Sequence, residues 1–160
     1  MGKVPITKAG FQKLKKDLDR LKTVEVPENV RDIEEARAHG DISENAEYAA
    51  AKERQSFIQG KIQEIENSLA TSEIIDPRDL TDERVVFGST VTFEDVETGD
   101  VTTYQLVGPF ESDATNNKIS VTSPIGKALI GKEIGDEVTV KTPGGVRQIE
   151  ITDIAIILND

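Results

Sequence analysis

Tyr48, Ala51, Gln55, Ile58, Ile62, Ile65 and Leu69 follow one another at spacings of 3, 4, 3, 4, 3 and 4, and nothing else in the chain restricts its fold as much. Apolar and small residues sustained at this spacing predict a long helix packed lengthwise on another helix. The partner lies just upstream, where Phe11, Leu14, Leu18 and Leu21 repeat at 3, 4 and 3. Two such segments joined by a bend make an antiparallel helical hairpin. Thr7 is placed to cap the first arm and Gly40 to end it. Pro27 lies between, and proline removes a backbone donor and clashes with the preceding turn, so a kink or short break is expected near residues 24–27. A second piece then carries Val30, Ile33 and Ala36. The seam must change register there, because the first spacing would continue onto Glu25, Glu28, Asp32 and Glu35. The returning arm has small or polar seam residues near the bend and large aliphatics toward its base. The hairpin should therefore be held most firmly at its root. An arm of about 33 residues is roughly 50 Å long.

After Asp76-Pro77 the composition shifts to β-branched residues, threonine and glycine, which marks a boundary between a hairpin over residues 1–76 and a second domain over 77–160. Val85–Gly88 and Ser89–Phe93 read as strand material. Thr98-Gly99-Asp100 turns the chain into a strand over Val101–Val107. Ile119–Val121 is short and strand-like. Ser123-Pro124 starts a brief helix that Gly131 stops. Strands over Glu137–Lys141 and Val146–Ile151 flank Pro143-Gly144-Gly145, and Ile154–Leu158 closes the chain. The fold class is α+β: a long N-terminal hairpin followed by a small, mostly antiparallel β domain.

The net charge of −11 argues against a nucleic-acid-binding surface spread over the whole protein. The chain has no cysteine, which excludes disulfides and thiolate chemistry and is compatible with a reducing compartment. No apolar run approaches the ~18 residues needed to span a bilayer, and the N-terminus lacks a signal-peptide pattern. No membrane partner is expected.

Three acids sit at the bend: Asp41, Glu44 and Glu47. One reading is structural. Asp41 and Glu44 fit the D-x-x-E form of a capping box, and acids are favoured at helix starts. The other is metal chemistry, since paired carboxylates suit Mg²⁺, which keeps several waters. A single exposed turn cannot complete a two-metal site, so any reaction would be finished inside a partner.

The stretch Gly40-Asp41-Ile42-Ser43-Glu44-Asn45-Ala46-Glu47-Tyr48, preceded by Glu35-Ala36-Arg37-Ala38-His39, resembles the tip motif of the bacterial Gre transcript cleavage factors of the GreA type. Ser120–Lys132, followed by Gly135-Asp136 and Pro143-Gly144-Gly145, resembles the C-terminal domain of the same family. This resemblance implies an antiparallel coiled coil and a C-terminal domain with an FKBP-like fold. It implies a cytoplasmic monomer that is not itself a nuclease. The C-terminal domain would dock on RNA polymerase, the coiled coil would enter the secondary channel, and the polymerase's own site would cut backtracked nascent RNA near its 3′ end.

By position, Asp41 would help hold a weakly bound Mg²⁺ shared with the polymerase active site, with none bound stably by this chain alone. Glu44 would place or deprotonate the attacking water. Ser43, Asn45 and Tyr48 would support the tip or meet the RNA end. Arg37, Lys52 and Arg54 lie near the bend and either contact RNA phosphates or pair with Glu34, Glu47 or Glu53. His39, the only histidine, reads as solvated or packed at the tip.

Other classes remain. A relative that docks and blocks the channel without promoting cleavage would share the whole architecture apart from the tip acids. A prolyl isomerase would need an aromatic pocket, whereas Phe87, Phe93, Tyr104 and Phe110 occupy strand-like positions and read as core.

Overall fold

The computed structural model describes residues 3–40, 45–76 and 82–156. The chain forms two compact units. One comprises Gln12–Thr71, and the other joins the residues up to Phe11 with those from Ser72 onward. The composition change at residue 76 and the division into compact units therefore fall at different places. The reason is a pair of short strands. The lead-in segment is strand β1 (Val4–Ile6), which pairs in parallel with β2 (Ser72–Ile74), Val4 opposite Ser72 and Ile6 opposite Ile74. Ile6 is fully buried, and its carbonyl accepts from the Ile75 N–H at 3.0 Å.

The helical unit is built from α1 (Lys8–Arg20), α2 (Val26–Ala38) and α3 (Ala46–Thr71). Thr7 caps α1 as expected: its Oγ1 accepts from the Gly10 N–H at 3.0 Å, and its carbonyl accepts from Phe11 at 3.0 Å. Leu21, Ile58 and Ile65 form the buried centre of the hairpin, with Leu14, Leu18, Val26, Ile62 and Leu69 packed against them. Every position of the α3 seam is buried or half-buried. The heptad reading of this arm holds along its length.

The expected break near Pro27 is instead a π-helical turn over Leu21–Glu25, whose flanking residues both keep helical backbone angles. The Val26 N–H donates to the Leu21 carbonyl, five residues back. One extra residue in the turn shifts the seam by one position, so the apolar stripe continues on Val26 and avoids Glu25. The π turn also leaves Pro27 in the first turn of α2, where its missing donor costs little. The shift selects Asn29 for the seam, buried to 3% exposure, and leaves Val30 43% exposed. The expectation that Val30 faces the partner arm is thereby corrected. The Asn29 amide donates to the Ala51 carbonyl at 3.0 Å, which satisfies it inside the interface.

The other unit contains a five-stranded sheet in the order β5-β4-β3-β7-β6. Its strands are β3 (Ser89–Asp95), β4 (Val101–Val107), β5 (Lys118–Ser120), β6 (Glu137–Thr142) and β7 (Gly145–Ile156). Only β4 and β5 pair in parallel. Val91, Phe93, Leu106, Val138, Val140, Ile149, Ile151 and Ile154 point into one core, closed by Leu129 of helix α4 (Pro124–Leu129) and by Val85. Ser123 caps α4, its Oγ accepting from Gly126 at 3.1 Å, and Gly131 follows with φ of 85°.

Three sequence expectations fail in this unit. Val85–Gly88 is not a strand: Val85 plugs the core from a loop, its N–H donating to the Lys132 carbonyl at 2.8 Å. The two last strands are one, β7, with a bulge where Thr92 faces Asp153 but Phe93 faces Ile151. The extra residue, Thr152, bonds the Thr92 carbonyl at 3.2 Å. The bulge lets Ile151 and Ile154 both face inward despite an odd spacing. Phe93 and Tyr104 meet in this domain at 5.8 Å between ring centroids, whereas Phe110 is 38% exposed and so is not the core residue its position suggested. No helix among the described residues is long and apolar enough to cross a membrane.

Candidate functional site

The bend joins the end of α2 to the start of α3. At the first of these ends the His39 N–H donates to the Ala36 carbonyl at 3.2 Å, and Gly40 follows with φ of 141°, a conformation that side chains disfavour. At the other, Asn45 is the N-cap of α3: its Oδ1 accepts from the Tyr48 N–H at 3.0 Å, and its carbonyl accepts from Ala49 at 3.1 Å. The same side chain reaches back with Nδ2 to donate to the Ala36 carbonyl of α2. One residue thus starts one helix and clamps the other's last turn. The capping-box reading of Asp41 with Glu44 falls outside the described residues.

Around this clamp the side chains pair off. His39 Nδ1 lies 3.2 Å from Glu47 Oε2, both largely exposed, in keeping with a solvated histidine. The Arg37 guanidinium stands over the Tyr48 ring at 6.0 Å from its centroid, a cation–π contact that stacks the ends of α2 and α3 together. Arg54 Nη2 pairs with Glu25 Oε1 at 2.8 Å, so it is tied to the opposite arm near the π turn and not to Glu34, Glu47 or Glu53. Lys52 is exposed on α3. Small residues on both arms, Ala36, Ala50 and Ala51, leave a groove of about 320 Å³ below the bend, rimmed by Asp32, Glu35, Glu47 and Arg54.

Asn45, Tyr48 and Arg37 are brought together. Lys52 and Arg54 lie further along α3. Asp41, Ser43 and Glu44 lie outside the described residues. Among the described residues, no group of three or more His, Asp or Glu side chains is arranged to hold a metal ion. Sequence reasoning did not find the structural role of Asn29, whose only signal was a polar residue next to Val30 in a register that the π turn alone decides.

Residues 4–74 match the family described as "Transcription elongation factor, N-terminal", and residues 80–156 match "Transcription elongation factor, GreA/GreB, C-term". The chain is 65% identical over 156 residues to Transcription elongation factor GreA of Syntrophus aciditrophicus, covering 98% of this chain and 97% of that one. The chain belongs to the GreA/GreB family of transcription elongation factors. A second GreA, from Syntrophobacter fumaroxidans, is 57% identical, with 96% of this chain and 99% of that one covered. Among solved structures, GreA factor homolog 1 of Thermus thermophilus is 31% identical over 96% of this chain and 99% of that chain, with a TM-score of 0.44. Within the GreA/GreB family frame, the motif of residues 35–48 falls on the bend just described. The second motif falls on α4 and the β6–β7 hairpin.

Proposed function

We propose that this chain binds RNA polymerase, passes its helical hairpin through the secondary channel and stimulates the polymerase's own cleavage of backtracked RNA. Arrested elongation complexes then resume synthesis. The observation that carries this reading is where Asp41 and Glu44 fall: in the short connection between two helix ends that Asn45 clamps together.

The donor set fits a shared Mg²⁺. Two carboxylates fill only part of the octahedral shell that this ion demands, and the rest would come from water and the polymerase. When bound there, the ion supplies charge stabilisation and an activated water for phosphoryl chemistry. Asp41 is assigned to holding it, and Glu44 to placing the attacking water and accepting its proton. Asn45, with Arg37 and Tyr48, keeps the two helix ends in register so that both acids arrive together. Lys52 on the exposed face of α3 is the basic side chain offered to RNA phosphates. Arg54 is engaged with Glu25 and contributes less.

The test is a backtracked elongation complex with Mg²⁺. The unmodified chain releases short RNA 3′ fragments; Asp41→Asn and Glu44→Gln abolish their release while polymerase binding stays nearly intact. Binding lost together with cleavage would show that the acids hold the bend and do no chemistry. Binding without any cleavage by the unmodified chain would favour a channel-blocking role.

A further inference from the structure

The first turn of α1 is capped from two places in the chain. Thr7 supplies the usual half, its Oγ1 accepting from the N–H of Gly10. In a capping box the residue in that third helical position is Glu or Gln, and its side chain reaches back to the N–H of the cap residue. Here the position is Gly10, which has no side chain. The returning carboxylate comes instead from Glu111, 104 residues away, in the short 3₁₀ turn Pro109–Glu111 that follows β4. Glu111 Oε2 accepts from the Thr7 N–H at 2.7 Å and from the Gly108 N–H at 3.0 Å, while Oε1 accepts from the Thr7 hydroxyl.

The surroundings are shaped to this carboxylate. A Cβ on Gly10 would overlap the Glu111 carboxyl group, and a Cβ on Gly108 would overlap the Pro5 carbonyl. Glu111 thus occupies the volume that the missing side chain of Gly10 would fill. Two glycines, one hydroxyl and one carboxylate converge from two separate stretches of sequence, residues 7–10 and 108–111.

We propose that Glu111 is a positioning residue. It completes the cap of α1 from the β domain, and this long-range tie, as distinct from the stability it confers, is required for the cleavage activity proposed above. The inference rests on that activity. A cap supplied by Gly10's own side chain would stabilise the helix equally without a carboxylate bond from the 3₁₀ turn. Recruiting the carboxylate from Glu111 instead makes the start of the arm that leads to Asp41 and Glu44 dependent on the folded sheet.

The arrangement supplies its own control. In Glu111→Ala the volume beside Gly10 is vacated, so adding Gly10→Glu rebuilds a capping box within the helix without the tie to the β domain. Polymerase affinity, thermal midpoint and maximal cleavage rate at saturating protein are measured for the full chain, Glu111→Gln, Glu111→Ala, and Glu111→Ala with Gly10→Glu. Expected are polymerase affinities within about twofold of the unmodified chain, and cleavage slowed on the order of tenfold or more in all three variants. The double variant regains the thermal midpoint lost in Glu111→Ala and stays slow. Full cleavage by the double variant overturns the proposal, since capping alone would then suffice. Affinity lost in step with cleavage overturns it as well, because the tie would then serve docking. No cleavage by the unmodified chain overturns the proposed function and this inference with it, whereas fast cleavage by every variant overturns this inference alone.

Discussion

Asp95 ends a strand whose alternate residues, Ser89, Val91 and Phe93, all face inward, and it is itself only 7% exposed. A carboxylate in that place must be satisfied locally. Its Oδ1 accepts from the N–H groups of Glu97 and Thr98 at 2.9 and 3.1 Å, and its Oδ2 from Arg147 Nε at 3.1 Å. The Thr98 N–H foremost, and then Arg147, hold its pKa below the ordinary value of 3.8. A carboxyl group depressed in the folded state stabilises the fold above its unfolded pKa, and that contribution disappears as pH falls through the folded value. Asp95→Asn should therefore leave a thermal midpoint that falls less steeply below about pH 4 than that of the unmodified chain. Parallel acid limbs for the two proteins would show that Asp95 contributes nothing of the kind. The sequence carried only part of this residue's role. The turn Thr98-Gly99-Asp100 was legible from its glycine, which takes φ of 78° in the structure, but the partner Arg147 comes from a strand 52 residues away, and no local pattern announces it.

At the level of elements, α3 was legible because its helical period is uninterrupted and every seam residue meets the other arm. Burial along that seam is nevertheless graded. Ile58 is 1% exposed and Ile65 6%, while Ile62 is half-buried at the edge of the same cluster. Truncating a fully buried isoleucine removes its transfer energy and leaves a cavity, together about 2–5 kcal/mol. Ile58→Ala should fall in that range by chemical denaturation of the full chain, with Ile65→Ala close behind. Ile62→Ala should cost visibly less, since the site opens to solvent and can relax. Equal losses at all three positions would mean that the hairpin is packed more tightly than its burial indicates. The first arm was harder to read for a physical reason. Its apolar spacing breaks where the acids Glu25 and Glu28 would enter the seam, and chain chemistry permits either a break at Pro27 or an inserted residue. The π turn resolves this without interrupting the helix, and only then does Asn29 displace Val30 from the interface. β7 presented the same difficulty in another form: a single bulged residue disguised one strand as two.

For the molecule as a whole, the proposed function divides docking and chemistry between the two compact units. The motif with Asp41 and Glu44 belongs to the helical unit, and the motif around α4 and the β6–β7 hairpin belongs to the sheet unit. Sequence composition set a boundary near residue 76, but it did not reveal that Val4–Ile6 belongs to one compact unit with the residues from Ser72 onward. A parallel pair of three-residue strands joined across the entire hairpin has no periodicity to read, and its register is a tertiary fact. If docking and chemistry are carried by different units, removing one should leave the other competent. Under the proposed function, Asp41→Asn with Glu44→Gln changes two carboxylates to neutral isosteres, leaves the Asn45 clamp and the sheet core untouched, and so preserves the bound form. Such a variant should act as a competitor. Mixed in equal amounts with the unmodified chain at saturation, it should lower the cleavage rate in backtracked complexes by about half, since the two would share one site with nearly equal affinity. A rate unaffected by excess variant would mean that the acids themselves contribute to polymerase affinity, and that docking and chemistry are not separable in this protein.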